Sequence, residues 1–335
     1  MNRQLRLAKR PAGEVKPDDF EVTEEELPPA GEDQARVKVL QVSLDPAMRG
    51  WMNDAPSYLP PVGLGDVMRA AVAGVIEESN SDKFAPGDHV VGTLGVQEQA
   101  VVPADWLTKV DTTVVPLAAY LGALGLPGLT AYFGLLEVGA MKEGDTVVIS
   151  GAAGAVGSVA GQIAKIKGAS RVVGIAGGEE KCRWLVDELG FDAAIDYKNE
   201  SVSAGLKEHC PDGIDVYFDN VGGDILDAAL ARLAMHARVV ICGAISQYNA
   251  EGGMRGPRNY MMLLVRRSRM QGFLVFDYFS RYGEALAEMT AWRTDGRLKT
   301  REEVVKGSVE DFVPTLNKLF RGENKGKLVL EIAES

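Results

Sequence analysis

Gly151-Ala152-Ala-Gly154-Ala155-Val156-Gly157 follows the apolar run Thr146-Val-Val-Ile-Ser150 and opens a helix that continues towards Gly168. A strand, a glycine turn and a helix start, in that order, gather free main-chain N–H groups and the positive end of a helix dipole at one point. That arrangement binds phosphate, and at this spacing the pyrophosphate of a dinucleotide. Gly154 lets the main chain approach the phosphates, and Gly157 lets the helix pack closely on the strand. Ala152 stands where the strict pattern has its first glycine, so the motif reads A-x-G-x-x-G.

About twenty residues past such a turn, an NAD-binding unit carries a carboxylate for the ribose 2′-hydroxyl. Here that place is Gly177, between Ala176 and Gly178. A small neutral residue leaves room for a 2′-phosphate, and Lys181 just beyond can supply an ammonium to it. Glu179 and Glu180 suit the first turn of a helix, where the dipole favours acids. Arg183 is a further basic candidate on the same helix. The expected cofactor is NADP(H).

The elements that must hold these residues alternate along the chain. Strands are expected at Arg171–Ile175, Ala193–Asp196, Ile214–Phe218, Arg238–Cys242 and Met270–Phe276, with helices at Glu179–Leu189, Val202–His209 and Gly223–Leu233. Near-continuous apolar strands of this kind suit a parallel sheet covered on both faces. The expected fold class is α/β, a doubly wound Rossmann sheet of six parallel strands. Before it, Arg36–Ser43 alternates in the period of a half-exposed strand, and Ala70–Glu78, His89–Thr93 and Gln97–Val102 add short β segments. These predict an antiparallel β region. Strands around Glu302–Val305 and Lys327–Glu331 lie beyond a helix at Arg281–Arg293; they are expected to have no following helix and to return to the β region. The domains so drawn are residues 1–122, 123–298 and 299–335.

Composition narrows the function classes. With 46% hydrophobic and 25% charged residues, the 335-residue chain has the make-up of a soluble globular protein. A net charge of −11 without a basic run argues against nucleic acid or an anionic membrane as partner. The basic N-terminus has no apolar core of a secretory signal, no stretch reaches the length of a membrane span, and three scattered cysteines fit a reducing cytoplasm. Cys182, Cys210 and Cys242 show no C-x-x-C spacing, and His89, His209 and His236 are equally dispersed, so no metal is expected.

Several segments carry a likeness. They include Val42-Ser-Leu-Asp-Pro-Ala47-Met-Arg-Gly50, Asp54-Ala-Pro-Ser-Tyr58-Leu-Pro-Pro61, Gly125-Leu-Pro-Gly-Leu-Thr-Ala-Tyr-Phe-Gly-Leu-Leu136, Tyr217-Phe-Asp-Asn220-Val-Gly-Gly223, Ile241-Cys-Gly-Ala-Ile-Ser-Gln-Tyr248-Asn249 and Gly322-Glu-Asn324-Lys-Gly-Lys327. In these the chain resembles the medium-chain dehydrogenase/reductase superfamily, in its zinc-independent NADPH-dependent 2-alkenal/prostaglandin reductase family and the bacterial curcumin reductase-like branch. The resemblance implies a GroES-like β domain, an inserted Rossmann domain and a C-terminal return. It also implies reduction of the C=C bond of an α,β-unsaturated ketone or aldehyde, without metal, by a cytoplasmic homodimer joined through the sixth strand. On this likeness Tyr248 is the catalytic candidate, donating to the enolate oxygen or feeding a proton through the ribose hydroxyl. Tyr197, Asn220 and Asn324 match positions that contact the cofactor. Cys242, Ala244, Ser246, Phe273 and Val275 lie in segments expected to present main-chain groups to the nicotinamide amide. Tyr58 is the substrate-side aromatic. Ala47 replaces the tyrosine usual in Asp-Pro-Tyr-Met-Arg, which widens the site there. A zinc-free quinone reductase and a non-catalytic NADP-binding protein remain as alternatives.

Overall fold

The computed structural model describes residues 1–333. The chain divides into two compact units, one built from Met1–Leu121 with the segment from Glu302 onward, the other from Gly122–Arg301.

The second unit is a six-stranded sheet, all parallel. Its strands lie in the order Ala193–Asp196, Arg171–Ala176, Thr146–Ser150, Ile214–Asp219, Leu233–Ile241, Arg269–Gly272. The order reverses beside Thr146–Ser150, where a doubly wound sheet opens its ligand crevice. Four of the five residues of that strand are buried, because helices cover both faces. Val148, Val173, Ile195, Tyr217, Leu230 and Val239 belong to one core cluster over the sheet. This is the expected Rossmann architecture.

Three elements differ from expectation. The sixth strand ends at Gly272, and the chain from Val275 forms a 3-10 turn, Val275–Arg281. Its neighbour stops at Ile241, paired with Gly272, so Phe273–Phe276 have no ladder to join. The helix expected at Gly223–Leu233 ends at Leu230, and the next strand already begins at Leu233. Leu, Ala and Met in that strand's first part favour helix, but Leu233 pairs with Ile214, and the register shift that follows takes in His236, at φ 61. Cys242 lies just beyond this strand.

In the first unit, seven strands form one sheet whose centre is Gln34–Ser43, flanked by Ala71–Ser79 and Lys327–Glu331, with Gln99–Pro103 also pairing to it. Pairing is antiparallel except between Glu302–Lys306 and Lys327–Glu331, which run parallel. A parallel pair needs a crossover. The helix Phe312–Arg321 supplies it, so the expectation of no helix after Glu302–Val305 is corrected. Ser308 and Asp311 form a capping box ahead of it, Pro314 sits in its first turn where a missing N–H is harmless, and Gly322 ends it in the left-handed region. A separate hairpin, Asn2–Leu7 with Phe20–Glu25, was not foreseen from the sequence. Among the described residues no helix is long and apolar enough to cross a membrane.

Candidate functional site

The glycine turn is closed by the Gly154 N–H donating to the Gly151 carbonyl at 3.0 Å. Gly151 itself has φ 58, a conformation that side chains disfavour. A Cβ on Gly157 would lie 2.4 Å from the Gly151 oxygen and 2.8 Å from the Ala152 Cα, so only hydrogen fits there. Ala152, fully buried, donates its N–H to the Ile175 carbonyl at 3.0 Å. The departure from the strict motif is accommodated next door. Gly174 lies on the neighbouring strand, and a Cβ there would come 2.9 Å from the Ala152 methyl. Ala155 and Val156 lead into the helix Gly157–Ile166, which has no acidic side chain in its first turn. Its positive end is thereby left for an anion.

At the end of the next strand, Gly177 is covered by neighbours from the third-strand turn. A Cβ on Gly177 would fall 2.8 Å from the Tyr197 ring and hydroxyl and 2.9 Å from Lys198 Cε. Parallel pairing of Asp196 with Ala176 brings these residues together. The buried Asp196 carboxylate faces inward, accepting from Gly178 N at 2.7 Å, Lys198 N at 3.0 Å and Asn199 Nδ2 at 2.7 Å. Although burial raises its pKa, these bonds and the Lys198 charge lower it more, so the carboxyl sits below its usual value. Lys181 stands in the helix Glu179–Arg183 that follows, where Arg183 offsets Glu179 at 3.6 Å. Sequence reasoning passed over Lys198. No spacing signal pointed to it; the pairing of Asp196 with Ala176 brings it there.

The loops after the fourth and fifth strands complete this face of the sheet. Asn220 donates from Nδ2 to the Ser150 carbonyl at 2.7 Å, and the Ser246 hydroxyl donates to the Val221 carbonyl at 2.6 Å. The Tyr248 hydroxyl accepts from the Ala244 N–H at 3.0 Å, folding the segment 244–248 into a tight turn. Burial pushes the Cys242 thiol up to about 12, with Asp219 adding to it, which favours the neutral thiol. Phe273 packs its ring tip where a Cβ on Gly134 would stand, 2.5 Å away, and Val275 is buried.

Three site candidates, Ala47, Tyr58 and Asn324, belong to the first unit. Ala47 opens the short helix Ala47–Trp51. Arg49 anchors that helix, donating to the Gly13 carbonyl at 3.1 Å, the Pro11 carbonyl at 3.1 Å and Asn53 Oδ1 at 2.6 Å. Trp51 Nε1 donates to the Tyr58 hydroxyl at 3.2 Å, and the Arg69 guanidinium lies over the Trp51 ring at 5.6 Å. Trp51 was also missed from sequence. Asn324 donates to the Gly326 carbonyl at 3.0 Å within its own turn. The buried Lys327 ammonium ties that turn to the Ala47 segment, donating to the Leu44 carbonyl at 2.8 Å and Asp45 Oδ1 at 2.7 Å.

Two family models match the chain. One, described as the N-terminal domain of oxidoreductase, covers residues 3–110, and the other, zinc-binding dehydrogenase, covers residues 155–291. The NADPH-dependent curcumin reductase of Escherichia coli (strain K12) is 41% identical over 99% of this chain and 97% of its own length. A 2-alkenal reductase (NADP(+)-dependent) of Nicotiana tabacum is 40% identical over 99% of this chain and 98% of its own. The crystal structure of CurA in complex with NADPH from Vibrio vulnificus superposes with a TM-score of 0.92 at 41% identity, covering 99% of this chain and 100% of that one. The chain belongs to the medium-chain dehydrogenase/reductase family.

Within the family it stands in the 2-alkenal/prostaglandin reductase branch. The residues present fit a dinucleotide of the kind the family uses. The turn is closed tightly at Gly157, where no side chain fits, the helix start is free of acids, and the neutral Gly177 lies against Tyr197 and Lys198, with Lys181 shortly after it in sequence. The family model whose description mentions zinc lies wholly within the nucleotide-binding unit. Among the described residues no three His, Cys, Asp or Glu side chains are grouped to hold a metal ion.

Proposed function

We propose that the protein is an NADPH-dependent reductase of the C=C bond of α,β-unsaturated ketones and aldehydes, acting without a metal in the cytoplasm. The observation that carries this reading is Tyr248, whose hydroxyl is held in place by the Ala244 N–H at 3.0 Å. It stands in the same unit as a dinucleotide turn. The bound NADPH supplies a hydride to the substrate's β-carbon. Tyr248 donates to the carbonyl oxygen, where negative charge then develops, and such a preorganised donor lowers the barrier by about 3 kcal/mol. The first-turn amides after Val156 hold the pyrophosphate, and Gly154 permits its approach. Asn220, the main chain of Cys242, Ala244 and Ser246, and the segment Phe273–Val275 orient the nicotinamide end. Lys181, Lys198 and the Tyr197 hydroxyl receive the 2′-phosphate. Tyr58 with Trp51 forms an aromatic wall for the substrate. The missing phenol at Ala47 leaves space for bulky enones.

Oxidation of NADPH, followed by its absorbance against a panel of alkenals, diaryl enones and quinones with NADH as control, tests the reading. Saturation with enones and a strong preference for NADPH are expected; activity confined to quinones would replace the reading with a quinone reductase. Lys181→Ala and Lys198→Ala are each expected to raise the dissociation constant for NADPH about tenfold and leave that for NADH unchanged, measured by fluorescence titration. Ala47→Tyr is expected to reduce kcat/KM for diaryl enones about tenfold more than for small alkenals, which a parallel set of rate measurements reads directly.

A homodimer suits the edge of the parallel sheet. Arg269–Gly272 is exposed along its whole length, and Leu264, Val265, Met270, Phe276 and Phe279 are exposed apolar residues near it in sequence. An unpaired edge of this kind invites pairing with a second copy. A monomer on a sizing column would contradict it.

A further inference from the structure

Asp219, 1% exposed, ends the fourth strand of the parallel sheet. Its Oδ1 accepts four bonds: Ser150 Oγ at 2.8 Å, the Tyr217 hydroxyl at 2.9 Å, Gly222 N at 3.0 Å and Val221 N at 3.2 Å. Its main-chain carbonyl accepts from Cys242 N at 2.9 Å and Gly243 N at 3.0 Å. Ser150 Oγ in turn accepts the Asn220 N–H at 2.9 Å, which commits the serine proton to the aspartate. One buried residue therefore ties together the ends of three neighbouring strands, Thr146–Ser150, Ile214–Asp219 and Leu233–Ile241. The segments that leave those ends are Gly151–Gly157, Asn220–Gly223 and Cys242–Tyr248.

The remaining part of the site has a different anchor. Gly178, beside Gly177 and the helix carrying Lys181, is held by Asp196. The two carboxylates thus divide the site, Asp219 under the turn and the tyrosine loop, Asp196 under the 2′-phosphate floor. Burial pushes the Asp219 carboxyl above its usual pKa, and the bonds from Gly222, Ser150, Tyr217 and Val221 pull it back. Two of its four donors are main-chain N–H groups, which demand an acceptor whatever the pH.

We propose that Asp219 is a positioning residue for the pyrophosphate and nicotinamide half of the cofactor site, and, through Val221 and its bond from Ser246, for the loop that carries Tyr248, while the adenosine half is set independently by Asp196. This rests on the NADPH reading above. Calorimetric titration of purified full-length protein with NADPH and with adenosine 2′-monophosphate separates the two halves. Asp219→Asn keeps the shape but offers an amide in place of one carboxylate oxygen, and Ser150→Ala removes a single link to the hub. Both variants are expected to weaken NADPH about tenfold, to lower kcat for the enone by a similar factor, and to leave adenosine 2′-monophosphate binding unchanged. Equal weakening of both ligands would overturn the proposal, because it would mean general loosening of the unit. Unchanged NADPH affinity in both variants would overturn it as well. If the unmodified protein bound adenosine as tightly as adenosine 2′-monophosphate, the NADPH reading would itself fall, whatever the variants did.

Discussion

Tyr248→Phe is expected to lower kcat for enone reduction about 100-fold while changing NADPH affinity by less than about threefold. The phenylalanine keeps the ring and its packing, so the pocket wall stays in place. What disappears is the hydroxyl proposed to donate to the oxygen that becomes negative, a bond that acts in the transition state more than in the ground state. The Ala244 N–H also loses its acceptor, but this group is half-buried and water can replace the hydroxyl. Stopped-flow rates together with an NADPH titration separate the two effects. An unchanged kcat would reduce Tyr248 to a residue that only packs.

Gly157→Ala is expected to weaken NADPH binding by a factor of about 10–100, with a measurable loss of thermal stability. The new Cβ would stand 2.4 Å from the Gly151 oxygen, so the helix start or the turn must move. Movement of either shifts the amides proposed to hold the pyrophosphate. Gly154→Ala makes the informative contrast. Its Cβ would meet the Gly151 oxygen only at 3.2 Å, a contact that small adjustment relieves. For Gly154 the expected result is a loss of NADPH affinity with the unfolding temperature unchanged, since that glycine serves the ligand and not the packing. Thermal unfolding and titration of both variants would show whether the two roles separate in this way.

The parallel sheet was legible because its central strands are buried on both faces and read as largely apolar runs, such as Val147, Val148 and Ile149. So was the small neutral residue at Gly177, which depends only on counting from the turn. The sixth strand was overextended because Phe273–Val275 looks like β sequence, whereas its length is set by a neighbour that stops at Ile241. The helix Phe312–Arg321 went unread behind Pro314, despite the Ser308 and Asp311 cap. Lys198 and Asp219 were hidden for a different reason. Their significance comes from strand order, which sets Asp196 beside Ala176 and Asp219 between Ser150 and Cys242. No spacing rule along the chain expresses that adjacency. The same holds for Trp51, which matters through its bond to the Tyr58 hydroxyl.

The claim at the centre is that reduction takes place at the carbon–carbon double bond. The most direct measurement uses NADPH carrying deuterium at the transferable position of C4, a diaryl enone as substrate, and mass and NMR analysis of the product. A saturated ketone with deuterium on the β-carbon and a solvent-derived proton on the α-carbon is expected. Deuterium on the carbonyl carbon, in an allylic alcohol that keeps its double bond, would contradict it.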